Sequence, residues 1–212
     1  MEKSPQPAGG KKPCEKGWKA AHGWHLYMLA MLAFNIIVFL PPVFLSMGYG
    51  GIAHSLYEGL HPTCHQLDSR SLCYFPQGKQ IIRDCVAEEE GLVFRRSEQI
   101  VSEGGGVGYK IGVCSRDVAI YLFMLIGAFF WPFYAKGKEA GGIWPKPIWL
   151  LLAMVPIALD GGTQILGWRE STNLLRIITG AIIGFVMPFY LIPVMNQLLN
   201  PLIGGILHKI RK

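Results

Sequence analysis

Residues 113–135 read VCSRDVAIYLFMLIGAFFWPFYA, and this stretch decides the fold class. Past the polar opening Cys114-Ser115-Arg116-Asp117 it contains no Asp, Glu, Lys or Arg. A helix rises about 1.5 Å per residue, so about 20 apolar residues match a hydrocarbon layer about 30 Å thick. The stretch reads as a transmembrane helix.

Working outward, three more runs qualify. Residues 24–48 are apolar and contain Pro41-Pro42, where the helix is expected to kink or end. Residues 148–167 stay apolar until Asp160, and 173–200 are apolar apart from Arg176, with Pro188 and Pro193 as expected kinks. Trp131, Tyr134, Trp144, Trp149 and Trp168 lie near the ends of these runs, as an interfacial aromatic belt would. Composition agrees: of 212 residues 51% are hydrophobic and 16% charged, where a soluble domain carries about 25% charge. The first run is longer than a signal-peptide core of about 7–15 residues and has no small-residue cleavage site, so it reads as a retained span. The expectation is an all-α integral membrane protein of about four transmembrane helices, resident in the cell membrane with the lipid bilayer as its main partner.

The remaining segments carry the charge. Residues 1–23 read as a disordered basic leader, 136–147 and 168–172 as short loops, and 201–212 as a basic tail. With four spans, the leader, the 136–147 loop and the tail share one side, with eleven basic and three acidic residues. The other side has nine basic and eleven acidic residues. Positive charge accumulates on the cytoplasmic side, so both termini are expected there. The net charge of +6 has the same explanation, because the basic residues flank apolar runs rather than forming an aromatic-interleaved patch. Nucleic acid is not an expected partner.

Segment 49–112 is then extracytoplasmic. Residues 52–67 suggest an amphipathic helix. Residues 77–108 alternate polar and apolar around Ile81-Ile82 and Leu92-Val93-Phe94, with a turn at Glu88-Glu89-Glu90-Gly91 and a glycine-rich return at 104–106. They suggest a small β-hairpin.

Four polar motifs fall at this same face: Cys64-His65-Gln66 with Arg70-Ser71, Cys114-Ser115-Arg116-Asp117, Asp160-Gly161-Gly162-Thr163-Gln164, and Trp168–Asn173 followed by Arg176. Helical spacing puts Cys114, Asp117 and Tyr121 on one face, and Asn173, Arg176 and Gly180 on another. Ionisable groups near hydrocarbon turn inward and pair, and Asp160 with Arg176 is the expected pair. Locking helices together is the bland explanation of such a cluster. The functional one is a ligand site of Arg70, Arg116, Asp117, Asp160, Gln164, Arg169, Asn173 and Arg176, whose arginines suit phosphate or carboxylate.

Cys14 lies in the leader and reads as a free thiol. Cys64, Cys73, Cys85 and Cys114 are external, where disulfides are the default and three pairings are open. Cys73 with Cys85 is one candidate bridge. Cys64, His65, Cys114 and Asp117 would then supply sulfur, nitrogen and oxygen ligands for zinc or another transition metal. A Cys64–Cys114 bridge is the alternative.

The ordered pattern of these motifs resembles a family of small prokaryotic membrane proteins known as a domain of unknown function (number twenty eighty-five), over roughly residues 55–75 and 112–185. In that family a second cysteine often stands where this chain has Asp117. Aspartate can replace cysteine as a metal ligand but not in a disulfide, so the departure favours a metal or polar site there. Relative to the family core, residues 76–108 look like an insertion. The resemblance implies no known activity.

Three functions compete: binding or processing of an anionic or lipid-linked ligand, a metal or thiol-redox site, and an accessory subunit of a larger membrane complex. No G-x-S-x-G, zincin or P-loop motif and no inverted repeat is present, so hydrolase and transporter readings lack support.

Overall fold

In a computed structural model, the described residues are 22–78, 80–85, 97–101, 105–136 and 144–210. Most of the leader, the Glu88–Gly91 turn with Leu92-Val93-Phe94, most of the 136–147 loop and the last two residues of the tail lie outside them. The order is α1 (His22–Ser46), α2 (Gly50–Leu60), a 3₁₀ turn (Asp68–Arg70), β1 (Ser71–Tyr74), β2 (Ile82–Asp84), β3 (Gln99–Val101), β4 (Val107–Cys114), α3 (Ser115–Ala135), α4 (Pro147–Ile165), α5 (Asn173–Val186) and α6 (Pro188–Ile210).

Among the described residues, four helical stretches are long and apolar enough to cross a membrane: Gly23–Ser46, Ser115–Ala135, Pro147–Ile165 and Asn173–Leu199. The fourth runs across the α5/α6 junction at Met187-Pro188. α1 continues through Pro41 and Pro42 to Ser46 rather than ending at them. Pro41 is fully buried there, and a Cβ on Gly112 of β4 would approach it to 3.3 Å. The strand therefore runs hard against the end of α1.

The sheet is larger than a hairpin. Its order is β2-β1-β4-β3, all antiparallel. The two short strands from inside residues 76–108 do not pair with each other but sit on opposite edges. The centre is β1 and β4, and β4 supplies eight residues, most of them buried. Hydrophobic burial explains the choice: Ile111 and Val113 pack with Val38 of α1, Leu60 of α2 and Val118 of α3. Val113 and Cys114 thus end a strand, and the helix behind them begins at Ser115. A Cys73–Cys85 disulfide closes the β1–β2 side.

α3 and α5 are the closest helix pair. A Cβ on Gly180 would lie 2.6 Å from the Arg116 carbonyl oxygen, and one on Gly184 would collide with that of Ile120. Small residues four apart let two backbones touch where lipid offers no hydrophobic drive to associate. This contact brings the first turns of the two helices together, with the Ser115 hydroxyl donating to Asn173 Oδ1 at 2.7 Å. At the opposite end of the bundle, Trp24 Nε1 donates to the Ala128 carbonyl at 2.7 Å and the Tyr190 hydroxyl to that of Lys146 at 2.8 Å.

Candidate functional site

α4 ends in a Schellman turn. The Trp168 N–H bonds the Thr163 carbonyl at 3.0 Å and the Gly167 N–H that of Gln164 at 3.1 Å, with Gly167 at φ 70°. The turn folds the chain back, and Arg169 Nη2 donates to Asp160 Oδ1 at 2.8 Å. Arg116, in the first turn of α3, donates to the other oxygen at 2.5 Å. Asp160 is 2% exposed, and both its oxygens are taken. The expected Asp160–Arg176 pair is not formed, because the arginines on the adjacent turn and on α3 reach the carboxylate first. Thr172 caps α5 by accepting from the Leu175 N–H at 3.3 Å.

Arg176 instead lines a cavity of about 280 Å³ together with Thr63, Cys64, His65, Gln66, Leu67, Arg70, Cys114, Arg116, Asp117 and Gln164. It is 3% exposed, and its guanidinium makes no hydrogen bond or ion pair among the described residues. The nearby charges acting on it include Arg70 and Arg116, both of like sign, opposed by the attraction of Asp160. Of the other residues read as ligand-binding, Asp160, Arg169 and Asn173 do not line the cavity. Asn173 holds elements together, donating to Asp84 Oδ1 of β2 at 3.0 Å while accepting from Ser115. Gln164 donates to Glu170 at 3.0 Å.

The opposite wall is sulfur-bearing. Cys64 and Cys114 are free thiols. Cys64 Sγ accepts from the N–H groups of Cys114 at 3.1 Å and Gln66 at 3.4 Å, and the Cys114 thiol donates to Asp117 Oδ2 at 3.1 Å. The neighbouring Cys114 side chain, helped by those two N–H groups, holds Cys64 below the ordinary thiol range against burial and the Asp117 charge. Cys114 is pushed up, first by its bond to Cys64, then by burial and the charge of Asp117. One ligand atom from each of Cys64, Cys114 and Asp117 lies within 4.8 Å of the other two. His65 lines the same cavity but is not in that cluster.

The turn carrying Cys64 rests on a polar network that motif reading missed. Gln66 sits at φ 53°, the one non-glycine residue at positive φ among the described residues. Its side chain donates to the carbonyls of Tyr57 at 2.8 Å and Gly112 at 3.0 Å. Its own carbonyl accepts from Lys110 Nζ at 2.8 Å, and Lys110 also bonds Asp68 at 3.0 Å. Burial pushes the Lys110 ammonium down while Asp68 opposes the shift. A lysine inside the apolar strand VGYKIGVC was the available signal, since an alternating strand must turn it either to solvent or to a buried partner.

Apolar helices of spanning length, with polar groups gathered where three of their ends meet, define a polytopic membrane protein. The family described as "Predicted membrane protein (DUF2085)" matches residues 107–190. An uncharacterized protein of Methanocaldococcus jannaschii is 30% identical over 179 residues, covering 82% of this chain and 93% of that one. An uncharacterized protein of Methanothermobacter thermautotrophicus is 40% identical over 73 residues, covering 34% of this chain and 62% of its own length. The chain belongs to this membrane-protein family. No solved structure matches it.

Proposed function

We propose that the chain binds an anionic, phosphate-type group in the cavity between the starts of α3 and α5, at the extracytoplasmic side of the membrane. The observation that carries this reading is Arg176, a guanidinium 3% exposed with no hydrogen-bond or ion-pair partner among the described residues and facing a cavity it shares with Arg70 and Arg116. An unpaired buried charge costs several kcal/mol, and like charges nearby raise that cost, so an anion entering the cavity has a large imbalance to relieve. A planar guanidinium suits phosphate because it presents two parallel donors. The cavity volume of about 280 Å³ suits a headgroup rather than a whole lipid. The orientation rests on charge bias, with basic residues concentrated in the leader, the 136–147 loop and the tail.

The test uses the full chain in nanodiscs of phosphatidylglycerol or phosphatidylcholine, and in detergent with inorganic phosphate. Phosphatidylglycerol should be retained through extraction at least about tenfold better than phosphatidylcholine, and Arg176→Gln should abolish the preference, since a charge-assisted bond contributes about 1.5–3 kcal/mol. Phosphate binding without lipid retention assigns a soluble anion. Failure of both probes, or binding unchanged in Arg176→Gln, overturns the reading.

A further inference from the structure

We propose that Cys64, Cys114 and Asp117 bind one borderline-soft divalent cation of the zinc class on the wall of this cavity. The three come from different elements: the turn after α2, the last residue of β4 and the first turn of α3. Cys114 is the extended N-cap of α3 and Asp117 stands three residues on in its first turn, a spacing that lets the two side chains meet over the helix start. The ligand atoms lie within 4.8 Å of one another, and Cys114 Sγ is 3.1 Å from Asp117 Oδ2. Tetrahedral zinc, with bonds of about 2.3 Å to sulfur and about 2.1 Å to oxygen, needs sulfurs about 3.8 Å apart and sulfur–oxygen gaps of about 3.6 Å. The cluster is already on that scale. Two thiolates and a carboxylate form a donor set that favours zinc over magnesium or calcium.

The surroundings fit thiolate ligation better than a Cys64–Cys114 disulfide. Two backbone N–H groups point at Cys64 Sγ and a carboxylate at the Cys114 thiol. The two N–H donors stabilise metal-bound sulfur, whereas a disulfide sulfur is too weak an acceptor to use them. The Gln66 donor is held in a left-handed conformation that an L residue adopts at a cost, and the Lys110–Asp68 network locks it there. The other external cysteines, Cys73 and Cys85, are bridged. All three ligands line the cavity, so the fourth coordination position would face it, as in sites whose metal meets a ligand. Metal entry displaces the Cys114 thiol proton and any proton left on Cys64, which leave to solvent. The proposal rests on the sulfur wall and not on the anion reading, although both use one cavity.

The test is cobalt(II) titration of the full chain carrying Cys14→Ser, purified anaerobically without reductant so that Cys73–Cys85 stays bridged. One equivalent should produce thiolate-to-cobalt charge-transfer absorption with tetrahedral ligand-field bands, and zinc(II) should bleach both. Cys64→Ser and Cys114→Ser should each weaken binding by at least about a hundredfold, and Asp117→Asn by about tenfold or more. Zinc should also protect both thiols of the otherwise unmutated chain from alkylation, a readout that holds even if a serine variant fails to fold. Arg176→Gln should leave the cobalt spectrum intact while losing phosphate or lipid, so the two readings fail separately. A wild-type titration without charge-transfer bands, or a Cys64–Cys114 disulfide in the anaerobic protein, overturns the proposal.

Discussion

Two buried cations, Lys110 of β4 and Arg176 of α5, are treated in opposite ways. Lys110 is 1% exposed and fully engaged: its ammonium meets Asp68 and the Gln66 carbonyl, and Asp68 also accepts the Ser97 N–H at 2.8 Å. Arg176 is 3% exposed and its guanidinium bonds no group among the described residues, with Arg70 and Arg116 as like-charged neighbours and Asp160 attracting it from outside the cavity. Burying a charge costs several kcal/mol unless it is paired. The difference separates a scaffold from a receptor: the lysine satisfies the fold from within, while the arginine leaves a demand that a ligand can meet.

Breaking each side of this contrast should give different signatures. The largest effect belongs to Lys110→Ala, which strands Asp68 and should lower unfolding stability in detergent by about 3–5 kcal/mol. Lys110→Met combined with Asp68→Asn should recover most of that, and a double variant as unstable as the single one would refute the pairing. Asp160→Asn comes next. Its partners are 21% and 42% exposed, so the loss is discounted for screening to about 1–2 kcal/mol. Phosphate binding should meanwhile tighten, because Arg176 loses a competing negative charge close to the cavity; weaker binding would place Asp160 on the ligand's side. Arg176→Met should change stability by less than about 1 kcal/mol, or raise it, while anion retention disappears. A collapse comparable with that of Lys110→Ala would make the arginine structural after all.

The smallest effect is at the surface. The hydrogen bond to Glu98, followed by the charge of that carboxylate, raises the exposed His54 above its ordinary 6.5. The pair's contribution should be complete below that value and fade as pH rises through the folded-state titration. An NMR titration should show the raised midpoint, and Glu98→Gln should return it to the ordinary range. No such return would mean the pair does not form in solution.

Much of the helical framework was legible because it depends on local composition. A run such as residues 113–135 has few alternatives to spanning a bilayer, and Schellman and capping signals at Gly167 and Thr172 sit within a few residues of the bonds they make. The polar sheet was harder. β2 and β3 look like hairpin partners because they are sequence neighbours, yet each found a better edge on β1 or β4, whose apolar faces are buried against α1, α2 and α3. The motif residues Arg116, Asp160, Arg169 and Arg176 could be named in advance, but not their pairing.

Sequence alone determined that four apolar stretches would seek lipid, and that charged groups at their ends would have to gather, since each rule acts through neighbours along the chain. Tertiary structure alone decided that Asp160 meets Arg116 and Arg169 while Arg176 is left over. That outcome turns on how closely Gly180 and Gly184 let α5 approach α3, a matter of ångströms between residues some sixty positions apart, and no local pattern encodes it.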